Sequence, residues 1–261
     1  MNNHKTFPKK RFGQNFLHDK NCIQKIVTAV AIKPHDHLVE IGPGLGALTK
    51  ELLPLVKYLD VIEIDRDLIP QLESAVKDLG ELRVHQADVL QFDFATIAQL
   101  NKMRIVGNLP YNISTPLLFH LLKYADIIQD CNFMLQREVA ERIVAQPGSK
   151  IYGRLSVMVQ YYYEPKILFP VKAGSFTPKP KVDSSFIKLI PRVAGLRAHD
   201  PMRFADIVRL AFNQRRKTIK NSVAKMVSSA MLQSLGIDPK IRAEELAMED
   251  FIRISNGKSN E

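Results

Sequence analysis

The chain has 261 residues, 46% of them hydrophobic and 25% charged, enough for one large α/β domain plus a small appendage, with a core that needs no disulfide or metal staple. Its formal net charge of +10 favours a polyanionic partner, because basic side chains that neutralise phosphates release counterions. No run of about 18 apolar residues occurs and the polar start Met1-Asn2-Asn3-His4-Lys5 has no signal-peptide stretch, so a cytoplasmic protein without a membrane span is expected.

Residues 1–20 read as a basic arm, with Lys5, Lys9, Lys10, Arg11 and Lys20, that ends in Phe12-Gly13-Gln14-Asn15-Phe16-Leu17. Ile23, Ile26, Val27 and Val30 then recur at helical spacing until Pro34. Leu38–Ile41 reads as a short buried strand, followed by Gly42, Gly44 and Gly46 and a short helix toward Pro54. Tyr58–Ile64 is a second strand, Asp65–Lys77 a helix, Leu82–Gln86 a third strand and Lys102–Gly107 a fourth. Ser114–Tyr124 is the next helix, with Pro116 tolerated in its first turn, then comes a strand over Cys131–Gln136 and a helix over Arg137–Ala145. Leu155–Tyr163 and Ser184–Ile190 add strand-like segments, the rings of Tyr161-Tyr162-Tyr163 being assigned mainly to core. Beyond Asp200 every periodic segment is helical, with Phe204, Ile207, Val208, Ala211 and Phe212 on one face.

This alternation predicts a parallel sheet covered on both faces, with a small helical domain after it. The expected division is residues 1–192 and 193–261. Residues 209–225 hold Arg209, Arg215, Arg216, Lys217, Lys220 and Lys225 without one acid. Together with the basic arm they suggest a nucleic-acid cleft built from both ends of the chain. Cys22 and Cys131 lack metal spacing and suit a reducing compartment, where lone cysteines pack as small apolar residues. His35, His37, His85 and His120 are scattered and read as satisfied or solvent-facing, so no metal is expected.

Val39-Glu40-Ile41-Gly42-Pro43-Gly44-Leu45-Gly46 runs from strand into a glycine turn and a helix, where backbone comes close to a ligand. By itself that is a weak signal. Glu63 ends the second strand, where its carboxylate would accept both ribose hydroxyls, and Asp88 follows the third, within reach of an adenine amino group. The G-x-G-x-G spacing departs from the G-x-G-x-x-G of nicotinamide folds and favours S-adenosyl-L-methionine, which carries no pyrophosphate. Asn108-Leu109-Pro110-Tyr111 stands beyond the fourth strand at the same edge. An adenine amino nitrogen is a poor nucleophile, and an amide oxygen with a backbone carbonyl can accept its two N–H groups and localise the lone pair. Proline leaves the preceding carbonyl aimed outward, and a tyrosine ring offers a stacking face.

These motifs resemble the KsgA-type (RsmA) small-subunit rRNA adenine dimethyltransferases over nearly the whole chain. The resemblance implies a Rossmann-like methyltransferase sheet with a small C-terminal helical RNA-binding domain. It gives Asn15 and Leu17 in the Phe12–Leu17 motif the methionine end of the cofactor, Gly42 the pocket wall, Glu63 the ribose, Asp88 the adenine and Asn108 a share in both cofactor and catalysis. It makes Gly107–Pro116 the catalytic loop and places Phe176, of Phe176–Ser184, over the target base opposite Tyr111. Lys9, Arg11, Arg215, Arg216, Lys217 and Lys220 are its implied RNA contacts. The implied substrate is a pair of adjacent adenosines in the hairpin loop near the 3′ end of 16S rRNA, in the 30S subunit or its assembly intermediate, with a monomeric enzyme helping subunit biogenesis. An Erm-type enzyme acting on large-subunit rRNA and a non-catalytic ribosome-assembly or transcription factor are the competing readings. The long match through Gly107–Pro116 and the Phe176 motif argues against the first, and the intact Asn108, Glu63 and Asp88 against the second.

Overall fold

A computed structural model of the chain describes residues 13–214 and 216–257. In chain order the elements are β1 (Phe16–Leu17), α1 (Lys20–Val30), β2 (His37–Ile41), α2 (Thr49–Leu52), β3 (Tyr58–Glu63), α3 (Ile69–Val76), β4 (Glu81–Gln86) and β5 (Met103–Asn108). There follow α4 (Ser114–Leu121), β6 (Ile128–Gln136), α5 (Arg137–Val144), α6 (Arg154–Tyr162), β7 (Tyr163–Val171), β8 (Phe176–Thr177), β9 (Ser184–Pro191), α7 (Pro201–Phe212), α8 (Ile219–Ser222), α9 (Ser229–Ser234) and α10 (Met248–Asn256). Two compact units emerge: Met1–Ala140 with Lys166–Pro191, and Glu141–Pro165 with Arg192–Glu261. The break after Pro191 lies beside the expected boundary, but Glu141–Pro165 group with the second unit, unlike the expected division.

The first unit holds a seven-stranded sheet ordered β4-β3-β2-β5-β6-β9-β7. The five strands from β4 to β6 are parallel, so the expected rhythm holds for them. β2, β3 and β5 are buried almost end to end, as both-face burial in a parallel sheet requires. Ile23, Ile26 and Val30 of α1, Leu52 of α2 and Leu72 of α3 share one core with Leu38, Leu59, Val61, Val106 and Met134 of the strands. The strand expected at Ser184–Ile190 is present as β9, but it runs antiparallel to β6, with Cys131 opposite Leu189 and Gln136 opposite Ser184. An antiparallel neighbour needs no crossover helix, so the strand–helix rhythm could not announce its direction.

Leu155–Tyr163 also departs from expectation: residues 154–162 are the helix α6. Leu155, Val157, Met158, Val159 and Tyr161 are all buried, so the apolar run carries no polar face from which a helical period could be read. The Gly153 N–H donates to Ser156 Oγ at 3.1 Å and sets the start. β7 was not anticipated, because Pro165 and Pro170 interrupt its text; it is the last strand in the sheet order, where proline is tolerated. In the second unit Tyr161 lies 4.3 Å from Phe204 of α7, and Phe212 meets Tyr152 and Phe251. Those ring contacts are why Glu141–Pro165 belong with the C-terminal helices. Tyr161 and Tyr163 are buried, as their assignment to core expected, and so are the unpaired thiols Cys22 and Cys131. Among the described residues no helix is long and apolar enough to cross a membrane.

Candidate active site

Parallel pairing puts the carboxyl ends of β2, β3 and β5 at one edge of the sheet. The order reverses between β2 and β5, the switch point at which open α/β sheets bind ligands. The strands approach so closely that a Cβ at Gly107 would lie 2.7 Å from the Ile41 carbonyl oxygen. Past β2 the chain turns through Gly44, whose φ of +58° suits glycine and where a Cβ would meet the Phe16 ring at 3.1 Å. Glu63 at the end of β3 is buried, and backbone fixes both of its oxygens. Gly44 N–H donates to Oε2 at 3.1 Å and Asp65 N–H to Oε1 at 2.8 Å. Burial raises its pKa, and these two N–H groups oppose the rise. A carboxylate has about four acceptor positions, so capacity for hydroxyl donors remains. Asp88, beyond β4, accepts from the Leu90 N–H at 3.0 Å and from Gln91 Nε2 at 3.2 Å.

β5 ends on Asn108. Its Nδ2 donates to the Asn15 carbonyl at 2.9 Å, an arrangement that leaves Oδ1 available as an acceptor. Leu109 N–H donates to the Met134 carbonyl at 3.3 Å, whereas no described residue donates to the Leu109 carbonyl. Ile113 N–H and Ser114 Oγ both donate to the Pro110 carbonyl, at 3.2 and 3.0 Å, and close the turn ahead of α4. The Tyr111 hydroxyl lies 2.9 Å from Ser184 Oγ. Its pKa is raised by burial, against the hydrogen bond to Ser184.

One cavity of about 610 Å³ is lined by Asn15, Leu17, Gly42, Gly44, Glu63, Asp88 and Asn108–Tyr111 among others. A ligand of nucleoside size fits that volume. Among the described residues the lining holds three acids, Glu40, Glu63 and Asp88, and no Lys or Arg. That balance suits a cationic ligand and disfavours a pyrophosphate, whose charge would face carboxylates without a counterion. Glu40, inside β2, is nearly inaccessible and accepts from Thr49 Oγ1 at 2.7 Å. Burial, with a smaller contribution from Glu63, pushes its pKa up to about 8 despite the Thr49 bond. Sequence reasoning passed over Glu40, although an acid inside the apolar strand text Leu38–Ile41 was a usable signal.

The wall opposite the glycine turn comes from two distant segments. β1 pairs antiparallel with β8, Phe16 opposite Thr177 and Leu17 opposite Phe176. His18 N–H donates to the Ser175 carbonyl at 3.0 Å, and Ser175 Oγ to Asp19, the residue that caps α1. The N-terminal motif and the Phe176–Ser184 motif are thus one structural feature.

A model of the ribosomal RNA adenine dimethylase family matches residues 5–259. The chain belongs to this family. A ribosomal RNA small subunit methyltransferase A of Marinobacter nauticus is 49% identical over 98% of this chain and 93% of its own length. The protein of the same name from Hydrogenovibrio crunogenus is 51% identical over 95% of both. Among solved structures, a dimethyladenosine transferase from Plasmodium falciparum superposes with a TM-score of 0.78 at 27% identity, covering 92% of this chain and 95% of that one. The 23S rRNA methyltransferase ErmE superposes at 0.72 with 26% identity, covering 92% of this chain and 98% of its own. The Rossmann-like methyltransferase fold and the family read from the motifs are therefore borne out.

Not every residue that the family resemblance singled out meets at the cavity. Phe176 is 2% exposed and sits in the core beside Leu17 and Phe186, while its neighbour Thr177 lines the cavity. Lys9, Arg11 and Arg215 lie outside the described residues. In the second unit Arg216, Lys217 and Lys220 are exposed. There Thr218 bridges Arg242, Ile219 N–H donates to the Ile241 carbonyl and Lys220 N–H to that of Pro239. Lys240 and Arg242 thereby stand beside the basic stretch, an extension that spacing along the chain could not reveal. Of the histidines, His37 and His85 both bond Asp60, at 3.0 and 2.7 Å, and His120 bonds the Phe92 carbonyl. No group of metal-ligating side chains forms among the described residues.

Proposed function

We propose that this chain is a cytoplasmic, monomeric rRNA adenine N6-dimethyltransferase that uses S-adenosyl-L-methionine. Its proposed target is the two adjacent adenosines in the hairpin loop near the 3′ end of 16S rRNA, in the 30S subunit or its assembly intermediate. The observation that carries the reading is that one cavity is lined by Glu63, Asp88 and Asn108–Tyr111 together.

The residues present fit the cofactor, because the carboxylates of Glu63 and Asp88 in the lining suit a sulfonium cation and Glu63 retains acceptor capacity for ribose hydroxyls. Glu63 would hold the ribose, Asp88 the adenine, Gly42 the pocket wall, and Asn15 and Leu17 the methionine end. When bound, this group supplies an electrophilic methyl carbon. Asn108 Oδ1, left available because its Nδ2 is engaged by Asn15, and the free Leu109 carbonyl accept the two N–H groups of the target amine. Their pull pyramidalises the nitrogen, localises its lone pair and offsets the positive charge that develops on it. Pro110 stiffens the turn, and Tyr111 presents a ring for the base to stack on. An unpaired loop base costs less to draw into such a site than a paired one. Arg216, Lys217 and Lys220, with Lys9, Arg11 and Arg215, supply phosphate contacts in this reading.

Incubation with labelled S-adenosyl-L-methionine and unmethylated 30S subunits, 50S subunits or naked rRNA, followed by mass-spectrometric mapping, tests the proposal. Label on two neighbouring adenines of the 30S particle is expected. Label on 50S subunits would turn the assignment to a large-subunit enzyme, and none at all would support a non-catalytic assembly factor.

A further inference from the structure

We propose that Ser184 is a positioning residue that holds the Tyr111 ring in place as a platform before the target base arrives. The inference rests on the reading of Tyr111 as the stacking surface. Tyr111 and Ser184 are 73 positions apart, yet their hydroxyls meet at 2.9 Å. Ser184 is fully buried, so its hydroxyl needs a partner inside the protein, and the tyrosine hydroxyl is the one it has. The ring is thereby fixed at both ends. Its backbone end is closed by Ile113 and Ser114 donating to the Pro110 carbonyl, and its phenolic end is tied to β9. Rotation about Cα–Cβ would swing the phenol away and break the distal tie, so the bond fixes the axis on which the ring stands.

Ser184 is itself held. It is the first residue of β9, opposite Gln136 at the end of β6. The preceding Asp183 accepts from the Arg137 N–H on its carbonyl at 3.0 Å, and its carboxylate accepts from the Ala173 N–H at 3.0 Å and from Lys172 Nζ at 3.1 Å. The segment from Lys172 to Ser184 is therefore clamped at both ends, and it transmits that rigidity to the ring through the Ser184–Tyr111 bond. A ring whose axis is held in this way has less freedom to lose when a base stacks on it, which is how preorganisation raises the effective affinity for the base. Burial also raises the phenol's pKa, so the hydroxyl stays protonated and able to share this bond at neutral pH.

The test compares Ser184→Ala, Ser184→Thr, Tyr111→Phe and the double variant Ser184→Ala/Tyr111→Phe in methyl transfer to unmethylated 30S subunits. Cofactor affinity and melting temperature are measured alongside. Loss of one neutral hydrogen bond predicts a fall of about three- to tenfold in kcat/KM for the subunit in Ser184→Ala. Tyr111→Phe, which keeps the ring, should lose the same amount, the double variant no more than either, and Ser184→Thr should recover. Cofactor affinity should not move. Additive losses, an undiminished rate in Ser184→Ala, or a loss that follows melting temperature or cofactor affinity would overturn the proposal. Tyr111→Ala separates this inference from the reading beneath it. If that variant transfers methyl groups normally, the platform itself is wrong. If it is inactive while Ser184→Ala is silent, only the positioning role falls.

Discussion

The two ends of β5 treat polar groups in opposite ways. Arg104, near its start, is 4% exposed and commits its whole guanidinium. Nε and Nη2 grip Asp130, Nη1 takes Asp36 and the Ala31 carbonyl, and Nη2 also reaches the Val30 carbonyl at 2.6 Å. The last carbonyls of α1 are capped by that charge, and Lys188 adds a second cation to Asp130 at 3.0 Å. Four residues later Asn108 is held by one bond through Nδ2, and its oxygen and the next carbonyl are left available in residues that line a cavity. Full mutual satisfaction marks structure, whereas groups that are fixed but incompletely used mark a place for a ligand.

That contrast can be broken most forcefully from the satisfied end. Arg104→Met leaves Asp130 with Lys188 as its one cation among the described residues, takes the ion-pair partner from Asp36 and uncaps the Val30 and Ala31 carbonyls, and should cost about 3–5 kcal/mol of stability. Denaturant unfolding would show it, with cofactor affinity per folded molecule unchanged. A stable Arg104→Met protein that no longer binds cofactor would reverse the roles assigned to the two ends.

A smaller effect is expected at Glu40, the buried acid on the ligand side. Its carboxyl rises from 4.5 to about 8 on folding, so the native state keeps a proton that the unfolded chain releases in that window. By linkage the Glu40 contribution to stability falls as pH climbs from 4.5 to about 8. Glu40→Gln cannot titrate and should gain stability relative to the native sequence across that interval. Parallel melting curves for the two proteins against pH would contradict it.

Smallest of all is the change Lys217→Ala/Lys220→Ala, at two exposed side chains. It should leave transfer at saturating RNA intact while lowering the salt dependence of RNA binding by about one unit of slope per lysine. An unaltered slope would remove these lysines from the RNA contact set.

The carboxyl edge of the sheet was legible because parallel strands must end together. Once Glu63, Asp88 and Asn108 were read as strand-end residues, their convergence followed from the pairing rule. The satisfied edge was not legible, since nothing in the text of β5 ties Arg104 to Asp36 and Asp130 on other elements. α6 was misread because an apolar run buried all round carries no period, and β7 was hidden by its prolines. The burial of Phe176 depends on its pairing with Leu17, a contact between residues at opposite ends of the first unit. The neighbourhood of Lys217 and Lys240 depends equally on a long-range bridge. What the text lacked in each case was the partner.

The most direct measurement is on Asn108→Ala: cofactor affinity by titration and methyl transfer to unmethylated 30S subunits in a single turnover. Removal of an acceptor aimed at developing charge should slow transfer about 10²–10³-fold and leave cofactor affinity and melting temperature near native values. Transfer at the native rate, or cofactor binding lost in step with it, would show that Asn108 does not hold the target amine.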